Sequence, residues 1–148
     1  MMRYCMKYIL PLPFLLALSI VVFGQQTPLQ TWNEEAKTNI RLLPKYGYRE
    51  KSPAQQQADR EFMDEMMRQP SFNNNPAAAS RAMIEKGFEY LSQGDLRTAM
   101  YRFNQAYLLD SLNVEIYRGY AAVYEALGDR ERTRQYKDEY LAKSRPCL

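Results

Sequence analysis

The segment YLSQGDLRTAMYRFNQAYLLD, residues 90–110, has an echo in YEALGDRERTRQYKDEYLAKS, residues 124–144. Tyr90, Gly94 and Asp95 return as Tyr124, Gly128 and Asp129, each 34 positions later. Glycine ends helices because it takes a positive φ without a Cβ clash. An aspartate directly after it can accept from the free N–H groups that open the next helix. Each Gly-Asp pair therefore predicts a tight turn between two helices. So short a turn makes them antiparallel neighbours.

Helices that pack closely need small residues where their backbones approach. Gly87 precedes Tyr90 by three positions, and Ala99, Phe103 and Ala106 follow at spacings of four and three. A small residue, an aromatic, Gly-Asp, and then Ala, aromatic, Ala across a 34-residue unit resembles the tetratricopeptide repeat. The resemblance covers residues 80–113. A less complete copy spans residues 114–147, where Tyr117, Ala121 and Tyr124 fit the first helix. Its second helix departs, with Thr133, Lys137 and Tyr140 in place of Ala99, Phe103 and Ala106. That departure suits a terminal repeat whose outer side meets water, and RERTRQYKDE then reads as a solvated cap.

Upstream, Trp32, Ala36, Ile40 and Leu43 predict one short helix over residues 31–43, stopped by Pro44. PKYGYREKSP reads as a loop. Ser52 and Pro53 look like an N-cap and first helical residue for a helix over 54–69, with Ala58, Phe62, Met63, Met66 and Met67 on one face. QPSFNNNP, residues 69–76, is the natural boundary. Further helices are expected over 77–93, 96–109, 114–127 and 130–143. No segment alternates as a strand would. The expected organisation is all-α: an N-terminal segment over 25–53, an accessory helix and linker over 54–76, and two repeat-like helix pairs over 77–148.

The helix before Gly94 carries two apolar faces. Met83, Gly87 and Tyr90 suit contact with its partner helix, whereas Ile84, Phe88 and Leu91 form a second stripe. In the tetratricopeptide family, residues at such positions line a concave groove that holds peptides or protein surfaces. The resemblance thus implies a groove of Arg81, Ile84, Phe88, Leu91 and Ser92 with Glu115, Arg118, Ala122 and Glu125. Arg118 would meet an acidic group, flanked by Glu115 and Glu125. Some members clamp a C-terminal carboxylate with Lys and Asn, but Ile84 and Phe88 stand at the corresponding first-repeat places. An uncovered stripe of this kind is a sticky patch. Either the helix over 54–69 covers it or a partner does. The first option suits a structural subunit of an oligomer or envelope assembly, the second an interaction module.

Composition narrows the chemistry. The 148 residues allow about one domain. Arg3 and Lys7, the apolar run FLLALSIVVF and then Gly24 have the layout of a signal peptide over 1–24. The run is short for a membrane span and prolines interrupt it, so membrane association requires an uncleaved leader. Cys5 precedes the run, which disfavours lipidation. Loss of Arg3 and Lys7 would lower the net charge from +3 to +1, giving no electrostatic case for nucleic acid. Only Cys147 remains after the leader, so no internal disulfide is expected. There is no His and no Gly-rich phosphate loop, and the acids Asp59, Glu61, Asp64 and Glu65 read as a solvated helix face. The expectation is a non-enzymatic protein without metal or cofactor, exported and most naturally periplasmic, with a protein or peptide partner.

Overall fold

In the computed structural model, which describes residues 26–145, both Gly-Asp pairs form the same turn. Helix α3 (Pro76–Ser92) ends where Asp95 N donates to Tyr90 O and Gly94 N to Leu91 O, both at 3.0 Å. Gly94 has φ +80° there, and the Asp95 side chain accepts from Thr98 N at 3.0 Å to open α4 (Leu96–Leu109). Helix α5 (Glu115–Leu127) ends in the same way, with Asp129 N on Tyr124 O at 2.9 Å and Gly128 at φ +78°. Asp129 then accepts from Arg132 N at 3.0 Å to open α6 (Arg130–Ser144). These crossed bonds satisfy the last free carbonyls of one helix while the aspartate satisfies the first free N–H of the next. The result is two helical hairpins, α3–α4 and α5–α6, with α4 packed on α5. The architecture is all-α, and no strand occurs among the described residues. No helix among them is long and apolar enough to cross a membrane. The leader expected over 1–24 and the Cys147 thiol lie outside the described residues.

Phe103 locks the hairpins together. A Cβ placed on Gly87 of α3 would lie 2.4 Å from its ring, and one on Gly119 of α5 would lie 2.5 Å away. The ring therefore rests directly on two helix backbones. Phe88 and Tyr120 meet it edge-on at 5.2 Å and 6.5 Å between centroids, the arrangement that aromatic quadrupoles favour. Ala99 and Ala106, on the same side of α4, are buried. In the second hairpin an aromatic stands one position before Lys137, the residue that takes the place of Phe103. Tyr136 stacks on Tyr124 at 5.8 Å, while Lys137 pairs with Glu125 in solvent.

The N-terminal third departs from expectation. Helix α1 (Pro28–Ala36) starts earlier than anticipated because Thr27 and Gln30 form a capping box ahead of Pro28. It also stops earlier. Single helix over 31–43 is replaced by α1, a 3-10 turn at Ile40–Leu42 and a second turn at Pro44–Tyr48. The break falls at Asn39, whose backbone is extended and whose side chain accepts from Arg41 N at 3.2 Å, and the turns that follow are anchored by Asn104 of α4. Its fully buried side chain donates to Arg41 O and Leu43 O at 2.9 Å each and accepts from Lys45 N at 2.8 Å. Those backbone groups are held by a side chain instead of by their own helix. The expected loop is consequently interior: Pro44, Lys45 and Tyr46 are buried. Lys45 and Tyr46 sit at φ +54° and +58°, a conformation that side chains adopt only under tertiary constraint.

Helix α2 (Pro53–Arg68) opens on a Ser52–Gln55 capping box, as its sequence suggests. Its Gln55, Ala58, Asp59 and Phe62 border the same cavity as Tyr101, Asn104, Gln105 and Leu108 of α4. Each set recurs at helical spacing, so each is one helix face. On α4 that face is opposite the one carrying Ala99, Phe103 and Ala106. The N-terminal half therefore packs on the outer side of α4.

Two outcomes follow for stability. Gly87→Ala and Gly119→Ala should each lower the unfolding free energy by about 1–3 kcal/mol, because the added methyl overlaps the Phe103 ring; urea unfolding measures this. The hydrogen bond with the Thr98 side chain, and then that with its backbone, holds the Asp95 carboxyl below its ordinary range. Its stabilisation is complete above a pH of about 4 and disappears as pH falls through the lower folded value. Asp95→Asn keeps the cap but does not titrate. Acid titration of stability should therefore be shallower in that variant than in the wild type.

Candidate partner-binding groove

Helices α3 and α5 lie side by side because Phe103 holds both backbones. Their solvent-facing sides carry the expected groove residues other than Ile84. On α5, Glu115, Arg118, Ala122 and Glu125 share one side, while Ile116, Tyr120, Val123 and Leu127 face the core. On α3, Arg81 and Ser92 are exposed and stand about 16 Å apart at the helix rise. Phe88 and Leu91 are half-buried between them.

The structure brings Phe88 and Arg118 together. The Arg118 guanidinium lies 4.9 Å from the Phe88 ring centroid, and Phe88 in turn rests on Phe103. Arg118 also donates to Glu115 Oε2 at 2.8 Å, and the Tyr140 hydroxyl donates to the other Glu115 oxygen at 3.1 Å. Glu125 does not flank Arg118 in this arrangement. It binds Lys137 of α6, 3.1 Å away. All these ion pairs are solvated, so they orient side chains more than they stabilise the fold.

The stripe is less open than expected. Ile84 is only 6% exposed and belongs to the core. Phe88 is shielded by Arg118. The expected cover, the helix over 54–69, touches both α3 and α4, and its Phe62, Met63 and Met66 join the core cluster that holds Ile84. As α2 it lines the far side of α4 with Phe62 and Asp59. One of the stripe's three residues is thus core, and the remaining rim consists of Phe88, Leu91 and Ala122 among the charges of Arg81, Arg118 and Glu125.

Several organising residues escaped the sequence reading. Gly119 carried a signal, because a glycine within a helix costs about 1 kcal/mol and marks a close approach. Lys45 and Asn104 carried none, since their hydrogen bond spans 59 positions. Lys45 Nζ donates to Tyr48 and, at 3.2 Å, to Glu139 of α6, and it lies 4.5 Å from the Tyr117 ring centroid. Burial opposes its charge, but the bonds to Tyr48 and Glu139 outweigh that and hold its pKa above the ordinary value. This turn therefore bridges α4 and α6 behind the groove. Among the described residues no cluster of His, Cys, Asp and Glu could hold a metal ion. The acids of α2 do not gather, and Asp59 pairs with Lys51.

No protein-family model matches this sequence, no curated protein matches it, and no solved structure matches its fold.

Truncation at the groove should separate packing from surface. Phe88→Ala, which uncovers Phe103, should cost about 2–4 kcal/mol of stability. Arg118→Ala should cost under about 1 kcal/mol, as a solvated pair does. Chemical denaturation of the two variants side by side tests the difference.

Proposed function

We propose that this chain is a non-enzymatic interaction module of tetratricopeptide type, which holds a protein or peptide along the joint face of α3 and α5. The carrying observation is the division of labour across α4. Residues 40–62 occupy its outer side, while Phe88, Leu91, Ala122 and Arg118 form a mixed apolar and charged rim on the α3–α5 side. A rim with a shielded aromatic and an arginine has the composition of an interaction hot spot. The resemblance of residues 80–113 to the repeat, and the identical turns at Gly94 and Gly128, support the family reading. The leader-like residues 1–24 support export to a bacterial envelope, with the periplasm as the natural site of action.

The test is affinity capture from envelope extract with the wild type and Arg118→Glu, whose substitution lies on the surface and leaves the core intact. A specific partner should bind the variant at least about tenfold more weakly, as expected for loss of a central arginine. A folded variant that retains every wild-type partner at full strength would overturn the reading.

A further inference from the structure

Between α2 and α4, on the side of α4 away from the groove, lies a cavity of about 260 Å³. That is slightly below the usual size of drug-sized pockets and suits a smaller molecule. Phe62 stands on the α2 wall and Tyr101 on the α4 wall. Between these aromatic walls are Arg41, Tyr46, Lys51 and Asp59. Dry cavities are apolar, so a cavity with this lining holds water or a ligand.

Three polar features define what fits. Lys51 and Asp59 pair with each other, which cancels their charges. Arg41 has no carboxylate partner among the described residues; its guanidinium lies 4.0 Å from the Tyr101 ring centroid. Tyr101 is itself fixed, because its hydroxyl accepts from Asn39 at 2.8 Å. The third feature is Tyr46. Its side chain lines the cavity, the residue is only 8% exposed, and its hydroxyl forms no hydrogen bond among the described residues. Burial, then Asp59, raises its pKa against the opposing effect of Arg41, so the hydroxyl stays protonated and able to donate. The hydroxyl keeps contact with solvent, so it can donate to a water or to a ligand that displaces that water. The left-handed backbone at Lys45, Tyr46 and Gly47 holds this side chain in place, and strain of that kind concentrates at ligand clamps.

We propose that this cavity binds a small aromatic carboxylate. The carboxylate takes the unpaired Arg41 fork and the Tyr46 hydroxyl, and the ring lies between Phe62 and Tyr101. A planar carboxylate matches guanidinium geometry. The net positive charge of the lining selects against an amine, and an uncharged amide forfeits the charge-assisted bonds. The site is independent of the α3–α5 face.

The test is ligand-observed NMR titration of the full chain with phenylacetate and indole-3-acetate, alongside phenylacetamide and phenethylamine. At least one carboxylate should bind about tenfold or more tightly than the amide and the amine, the difference a charge-assisted bond supplies. Arg41→Gln should weaken it by about tenfold and Tyr46→Phe by about fivefold, as expected for losing a charged and a neutral hydrogen bond. Arg118→Gln, on the other side, should leave it unchanged. Arg41 is a surface residue, so its variant remains a fair test even if Tyr46→Phe disturbs the turn. Three results would overturn the proposal: no carboxylate binding up to ~10 mM, equal binding of the amide or amine, or unchanged carboxylate binding in Arg41→Gln.

Discussion

The Phe103 ring presses on two helix backbones at once, and the rest of the molecule is arranged around that contact. It requires glycine at both Gly87 and Gly119, since any Cβ would enter the ring. Close backbone approach packs α3, α4 and α5 each against the other two. The edge-on contacts of Phe88 and Tyr120 then surround the ring. A packed interior has little room to relax, so three residues far apart in the chain constrain one another's size. The Gly-Asp turns hold each helix pair in the register that this contact needs.

The next residue, Asn104, organises the opposite side of α4. Its amide is fully buried and engages the backbone at Arg41, Leu43 and Lys45 as well as the Tyr120 hydroxyl. Leaving these groups without partners would cost about 1–3 kcal/mol each. The N-terminal turns are thus an integral part of the fold, placed where α4 and α6 need a bridge. Two adjacent residues on one helix send the apolar core to one side and the polar framework to the other. As a consequence Arg81, Ser92, Arg118 and Glu125 of the α3–α5 face stay in solvent, and the N-terminal half borders a separate cavity together with α4.

The C-terminal helices were readable because their determinants are local. Gly94 with Asp95 and Gly128 with Asp129 act within six residues, through φ and capping. Gly119 was readable in principle, as a helix-interior glycine among tyrosines. The stripe of Ile84, Phe88 and Leu91 was recognised as a second face, but its fate was not. Whether a side chain becomes core or rim depends on how far the neighbouring helix advances, and that depends on Phe103. Lys137 stays in solvent, whereas Tyr136 beside it stacks on Tyr124, a contact that the solvated-cap reading did not foresee. The stop of α1 at Ala36 was unreadable for a related reason. The apolar spacing of Ile40 and Leu43 suits a helix, but extended Asn39 breaks it and restarts the chain in a 3-10 turn that Asn104 anchors through Arg41 O and Leu43 O.

By itself, then, the sequence determined the all-α class, the bounds of the last five helices to within about two residues, and the paired turns, because periodicity and capping are short-range properties. Tertiary structure alone decided where the N-terminal segment lies, that Ile84 belongs to the core while Arg118 shields Phe88, and that Arg41 and Tyr46 border one cavity. Those outcomes rest on contacts between separate elements, across 30 positions for Arg118 on Phe88 and across 59 or more for the N-terminal turn. No local pattern encodes such contacts, because buried donors and acceptors are satisfied only once the helices that carry them have packed.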